Sequence, residues 1–236
     1  MNHNYVYRKK KTQHIQVWES LHKKAKFQAK NTYIYLMNYL AHIYLSGNND
    51  LIAIGNFIAD GIKGKQYKTY PIDIQKGILL HREIDSFTDT HPTVRKSTKR
   101  LHENYSHYSG VIVDIFYDHF LAKNWKQYSD EPLDAFTNRF YNSLEENYDL
   151  LPLRIQKMMP FMISENWLLS YASIEGIAKV LEGMNRRTKN KSGMHKAVNE
   201  LQKFYSDFET EFIQFFKELR DFSNKKLNVL EQAFTP

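Results

Sequence analysis

MHKAVNELQKFYSDFETEFIQFFKELRDF (194–222) places Met194, Val198, Leu201, Tyr205, Phe208, Phe212, Phe215, Leu219 and Phe222 at steps of three and four. That period gathers side chains onto one face of an α-helix. The spacing predicts one long helix laid lengthwise on the rest of the molecule, its aromatic stripe serving as core. Further upstream the pattern stays helical. A short apolar face at Met37, Leu40, Ala41, Tyr44 and Leu45 ends in Ser46-Gly47-Asn48-Asn49, and Asp50 reads as the N-cap of a helix through Ile62 with Gly64 near its end. Helices are also expected over Ile72–Thr88, after Pro92, over Val111–Lys123, Leu133–Tyr148 and Glu175–Arg187, with shorter pieces around Pro152 and Pro160. Alternating β-branched runs are few, so the class is all-α, a single-domain helical bundle over 37–236.

Composition narrows the chemistry. The 236 residues can bury one sizeable core, and there is no cysteine, which excludes disulfides, thiolate metal sites and cysteine nucleophiles. Any metal must be held by His and carboxylate groups. No apolar run reaches the 18 or so residues of a membrane span, and a secretory h-region is missing, so a cytoplasmic protein is expected. The net charge of +7 is concentrated in residues 1–36, where Arg8, Lys9, Lys10, Lys11, Lys23, Lys24, Lys26 and Lys30 face the single acid Glu19. Residues 37–236 balance. The basic stretch reads as a nucleic-acid or acidic-partner arm, as a solvated tail, or as an extension upstream of a true start at Met37, and the last is the expectation adopted.

There is no glycine-rich phosphate loop, nucleophile elbow, zinc-finger or RNP-type pattern, and nucleic-acid binding would rest on the N-terminal arm alone. The chemistry sits elsewhere. His81, Asp85 and Asp89 are four residues apart in HREIDSFTD, and a second set, Asp114, Asp118 and His119, follows in DIFYDHF. On two facing helices such groups could form a mixed N/O pocket for a divalent metal, which points to metal-assisted hydrolysis. Spacing alone leaves the ordinary alternative open, because charged residues at i, i+4 also line solvated faces. Arg95, Lys96, Lys99 and Arg100 likewise form either a basic patch or a plain solvated face.

Five blocks carry a resemblance: MNYLAHIYLS (37–46), GNFIADGIKG (55–64), GILLHREIDSFTD (77–89), DIFYDHFLAKNW (114–125) and ENWLLSYASIEGIAKVLEGMNRR (165–187). In this order they resemble the bacterial acyl carrier protein phosphodiesterases. The resemblance implies hydrolysis of the phosphodiester joining 4′-phosphopantetheine to a serine of holo-acyl carrier protein, in a helical fold distantly similar to the HD phosphohydrolases, with Mn or Mg as the divalent metal. By position it assigns Asp60, His81, Asp85 and Asp118 to the metal and His119 or His42 to proton transfer. Arg82 and Lys63 lie beside those residues and could clamp phosphate oxygens. An acidic carrier protein would dock on Arg95, Lys96, Lys99 and Arg100, or on Arg186, Arg187, Lys189 and Lys191. One departure stands out: the HD order His-Asp is reversed in Asp118-His119, and neighbours on a helix diverge by about 100°. Two other readings remain, an HD-like phosphohydrolase of nucleotides or another small phosphodiester, and a non-catalytic helical module that binds nucleic acid through its basic arm.

Overall fold

Gly47 turns the chain at positive φ (71°), and Asn49, not Asp50, then caps the next helix by accepting from the amides of Leu51 and Ile52. This opening belongs to a computed structural model that describes residues 39–234; the basic stretch 1–36 and Met37 lie outside the described residues. The elements are α1 (Tyr39–Tyr44), α2 (Asp50–Ile58), α3 (Ile72–Thr90), α4 (Pro92–Tyr105), α5 (Ser109–Lys123), α6 (Leu133–Glu146), α7 (Leu153–Ser164), α8 (Trp167–Ser170), α9 (Ile174–Arg187), α10 (Ala197–Lys203) and α11 (Tyr205–Ala233), joined by short 3₁₀ turns. No strand occurs among the described residues, and none of their helices is long and apolar enough to cross a membrane. The fold is all-α.

Several sequence expectations need correction. α2 ends at Ile58, and a 3₁₀ turn over Ala59–Gly61 carries Asp60. Pro160 lies inside α7 without ending it. The single C-terminal helix is divided at Phe204, whose φ of −115° and ψ of 29° interrupt the run between α10 and α11. No proline or glycine marks that break. Beyond it the expected stripe is core: Phe208, Phe212, Phe215 and Leu219 are buried, at roughly 1.5–3 kcal/mol per large apolar side chain removed from water.

α3 is the scaffold of the candidate site. It packs on α2 along one side and on α11 along another, with Phe87 stacked on Phe222 at 4.4 Å between ring centroids. The α2–α3 contact is backbone against backbone. A β-carbon at Gly55 would lie 2.2 Å from the carbonyl oxygen of Ile74, and one at Gly77 would lie 2.1 Å from that of Ile52. Only glycine permits this approach.

α5 differs from its sequence reading. Ile112, Phe116 and Phe120 are buried as the apolar stripe predicts, but Asp118 and His119 on the polar side are buried too. A helix covered on all sides must hydrogen-bond its polar groups internally.

Candidate functional site

Gly55 and Gly77 decide what meets across the α2–α3 contact. Asn56 follows the first glycine, and His81 and Asp85 lie one and two turns beyond the second. With the helices this close, Asn56 Oδ1 lies 3.2 Å from His81 Nδ1 and 2.7 Å from Nδ1 of His42 on α1. The amide of Asn56 has one orientation. Its Nδ2 donates to the His42 carbonyl and to Ser46 Oγ, each at 2.9 Å, while Ser46 Oγ in turn donates to the same carbonyl. Oδ1 is therefore the acceptor for both imidazoles, and both must carry a proton on Nδ1.

The consequence is chemical. Both Nε2 atoms present lone pairs on the same side, with the two rings stacked at 4.2 Å between centroids. Facing them are carboxylates: His81 Nε2 is 3.1 Å from Asp60 Oδ1 and 3.1 Å from Asp85 Oδ2, and His42 Nε2 is 3.3 Å from Asp85 Oδ1. His42 Nε2 is buried and makes no hydrogen bond. Lone pairs facing anions require a positive charge between them, supplied by a proton or by a metal ion.

The titration behaviour follows from this geometry. Burial disfavours the His81 cation, yet the hydrogen bonds to Asp60 and Asp85 outweigh it and raise its pKa to about 9. For His42 burial dominates, reinforced by repulsion from His81, and its pKa falls. Asp85 is penalised by burial but held well below the ordinary carboxylate range by the two imidazoles. One ligand atom each from His42, His81 and Asp85 can be chosen so that all lie within 4.8 Å of one another, the spacing of groups around a shared cation. An imidazole and carboxylate set suits Mn, Fe, Zn or Mg.

Other residues singled out in the sequence have different surroundings. Asp118 is fully buried and its two carboxylate oxygens accept from the amides of Leu40 and Ala41, at 3.0 and 2.9 Å. It thus anchors the first turn of α1, two residues before His42. Burial raises its pKa to about 8 against the pull of those two bonds. His119 donates from Nδ1 to the Tyr171 carbonyl and accepts at Nε2 from the Tyr205 hydroxyl, both at 2.8 Å. Both ring nitrogens are engaged, and burial lowers its pKa, so it stands as a neutral tie between α5 and α11.

Arg82 donates through Nη2 to the carbonyls of Ile62 and Gly64, and Lys63 is exposed on that same loop. On α4, Arg100 makes a bidentate pair with buried Glu211 at 2.8 and 2.8 Å, joined by Lys96 at 3.2 Å, while Arg95 and Lys99 stay exposed. On α9 and beyond, Arg186, Lys189 and Lys191 are exposed, whereas Arg187 is half-buried with its pKa lowered to about 10 by burial.

Asp114 completes the surroundings. It is half-buried one turn before Asp118, and burial together with the charges of Asp85, Asp118, Asp89 and Asp60 raises its pKa well above the ordinary value.

A family model described as acyl carrier protein phosphodiesterase matches residues 37–219. The chain belongs to that family. A relative of that name from Photorhabdus laumondii is 33% identical over 191 residues, 80% of this chain and 96% of its own. One from Pectobacterium atrosepticum is 32% identical over 181 residues, 76% and 94% of the two chains. One from Escherichia coli is 30% identical over 191 residues, 80% and 99%. No solved structure matches. Family membership places Asn56, Asp60, His81 and Asp85 inside matched sequence. Asn56 had carried no signal of its own in the sequence; the one available clue was a pair of glycines within helices, one beside Asn56 and one four residues before His81.

Proposed function

We propose that this protein is a cytoplasmic, divalent-metal-dependent phosphodiesterase that hydrolyses the bond between 4′-phosphopantetheine and the serine of holo-acyl carrier protein. Water adds to phosphorus, the serine oxygen leaves with a proton, and the products are apo-carrier protein and phosphopantetheine. The observation that carries the reading is the buried, unbonded Nε2 of His42 beside a second imidazole and two carboxylates.

His42, His81, Asp60 and Asp85 would hold the ion, with Mn or Mg favoured by the carboxylate share of that set. When bound, the ion supplies positive charge to the phosphoryl oxygens and makes water a better nucleophile near neutral pH. The rest is the work of this chain. Asn56 holds both imidazoles in the Nδ1–H form so that Nε2 remains available, a positioning role through hydrogen bonds. Asp114, half-buried one turn before Asp118 with its pKa raised by burial and by the neighbouring carboxylates, is assigned the role of proton donor to the departing serine oxygen. Asp118 holds the turn that carries His42, and His119 braces the helix that carries Asp114.

The test is direct. Holo-acyl carrier protein incubated with the purified protein and Mn should lose the mass of phosphopantetheine in an intact-mass spectrum. A carrier of unchanged mass, with a nucleotide or other small phosphodiester consumed in parallel reactions, would replace this reading with the broader phosphohydrolase one.

A further inference from the structure

The segment between α2 and α3 reads IKGKQYKTYP (62–71), with three lysines and no acid. Lys63, Lys65 and Lys68 are all exposed, and none forms an ion pair among the described residues. The first follows Asp60 by three residues. The loop is fixed in place: Arg82, next to His81, donates to the carbonyls of Ile62 and Gly64 at 3.0 and 2.9 Å and lies over the Tyr67 ring at 5.4 Å. Lys63 donates its amide to Gln66 Oε1, and Gln75 of α3 donates to the Tyr70 carbonyl at 2.7 Å. Arg82 thus bolts the lysine loop to the helix that bears two of the site residues.

One exposed aliphatic group follows the loop directly, and another sits on α7 next to a residue that reaches Gly61. Ile72, directly after the loop, is 53% exposed, and Leu153 is 64% exposed. Leu153 precedes Arg154, whose Nη2 lies 3.5 Å from where a β-carbon of Gly61 would stand. The mixture of fixed positive charge and isolated apolar contacts is that of a protein-binding rim.

We propose that this loop, with Ile72 directly after it, is where an acidic carrier protein docks to present its modified serine. The inference rests on the phosphodiesterase reading and names the surface that reading leaves open. The scissile phosphodiester is one side chain away from the carrier backbone, so acidic residues flanking that serine must meet whatever cations border Asp60. The loop supplies exposed cations there, beside the Arg154 guanidinium that reaches Gly61. The alternative patch on α4 has two of its four charges, Lys96 and Arg100, engaged by Glu211, which leaves Arg95 and Lys99 as its free contribution.

The experiment compares Lys65→Glu/Lys68→Glu with Arg95→Glu/Lys99→Glu, all four positions being exposed, using holo-acyl carrier protein at low and high salt. The loop variant should raise KM roughly tenfold or more at low salt with kcat retained, the difference shrinking as salt screens the charges. The α4 variant should behave as wild type. An unchanged KM in the loop variant, or a raised KM confined to the α4 variant, overturns the proposal. Equilibrium binding of the same carrier separates the two layers of inference. If wild type binds without releasing phosphopantetheine and the loop variant fails to bind, docking stands and the reaction falls; equal binding by wild type and loop variant removes the docking surface whatever the turnover.

Discussion

Gly77 of α3 faces the backbone of Asn56 in α2 so closely that a β-carbon on the glycine would stand 2.7 Å from the Asn56 amide nitrogen and 2.1 Å from the Ile52 carbonyl oxygen. Helix propensity alone favours Gly77→Ala by up to about 1 kcal/mol. Backbone cannot yield as a side chain does, so the two helices must separate, at a cost of roughly 1–3 kcal/mol or more. The clash should win. Gly77→Ala is expected to lower the melting temperature and weaken Mn binding together, because Asn56 and His81 move apart. Gly183→Ala, in α9 with only the tip of Arg186 within reach at 4.0 Å, should instead be neutral or stabilising.

Asn56 permits a sharper separation of roles. Asn56→Leu removes the acceptor for both Nδ1 protons and frees each imidazole to change tautomer. Loss of such a partner typically costs 10–100-fold in metal affinity, and calorimetric titration with Mn should show a drop of about that size. Asn56→Asp keeps an acceptor but loses the donors to the His42 carbonyl and Ser46. It should therefore be unstable yet bind Mn better than the leucine variant. Equal Mn affinity for both variants would show that tautomer control is not what Asn56 provides.

What could be read without coordinates follows the same division between local and non-local causes. The His81–Asp85 pair is intrahelical, so its spacing alone puts both groups on one face. Its meeting with His42 and Asp60 depends on two glycines in different helices, and no single-helix period reports that. On α5 the period distinguished Phe116 and Phe120 from Asp118 and His119, but a polar face pressed against α1 and α11 has the same period as one facing water. The break at Phe204 is invisible for a related reason: it has neither proline nor glycine, and the residues on both sides continue the same stripe. Family blocks name candidate residues without reference to which helices touch, and so they group Asp118 with His81 and Asp85 although its carboxylate faces the Leu40 and Ala41 amides.

Glu211 supplies an acid-sensitive element away from the site. It is buried, and although burial raises its pKa, hydrogen bonds from Arg100, Ser97 and Lys96 bring the net value below the ordinary 4.5. A group with a depressed folded-state pKa stabilises the fold above its unfolded pKa, and the contribution disappears as pH falls through the folded value. Glu211→Gln should thus lose about 1.5–3 kcal/mol at pH 7, the range for hydrogen bonds to a charged group. Its stability should converge on that of wild type as pH falls through the depressed folded-state pKa. Urea unfolding at pH 7 and at low pH checks both the size and the sign; a gap that widens on acidification would contradict the assignment.

Asp85 and Asp118 are both carboxylates of the conspicuous sequence blocks, but their neighbours give them opposite signatures. Asp85 faces two imidazole Nε2 atoms, whereas Asp118 faces two backbone amides in a fully buried position. Asp85→Ala should abolish Mn binding and phosphopantetheine release while the helical circular dichroism persists, since its side chain is one-third exposed and caps no helix. Asp118→Ala leaves the Leu40 and Ala41 amides unsatisfied, at roughly 1–3 kcal/mol for each buried donor. That variant should unfold more readily, yet at saturating Mn, which stabilises the folded state by mass action, it should regain part of its ion binding as α1 settles. Asp118→Ala with wild-type stability but no Mn binding at any concentration would return Asp118 to the metal and remove it from the helix turn.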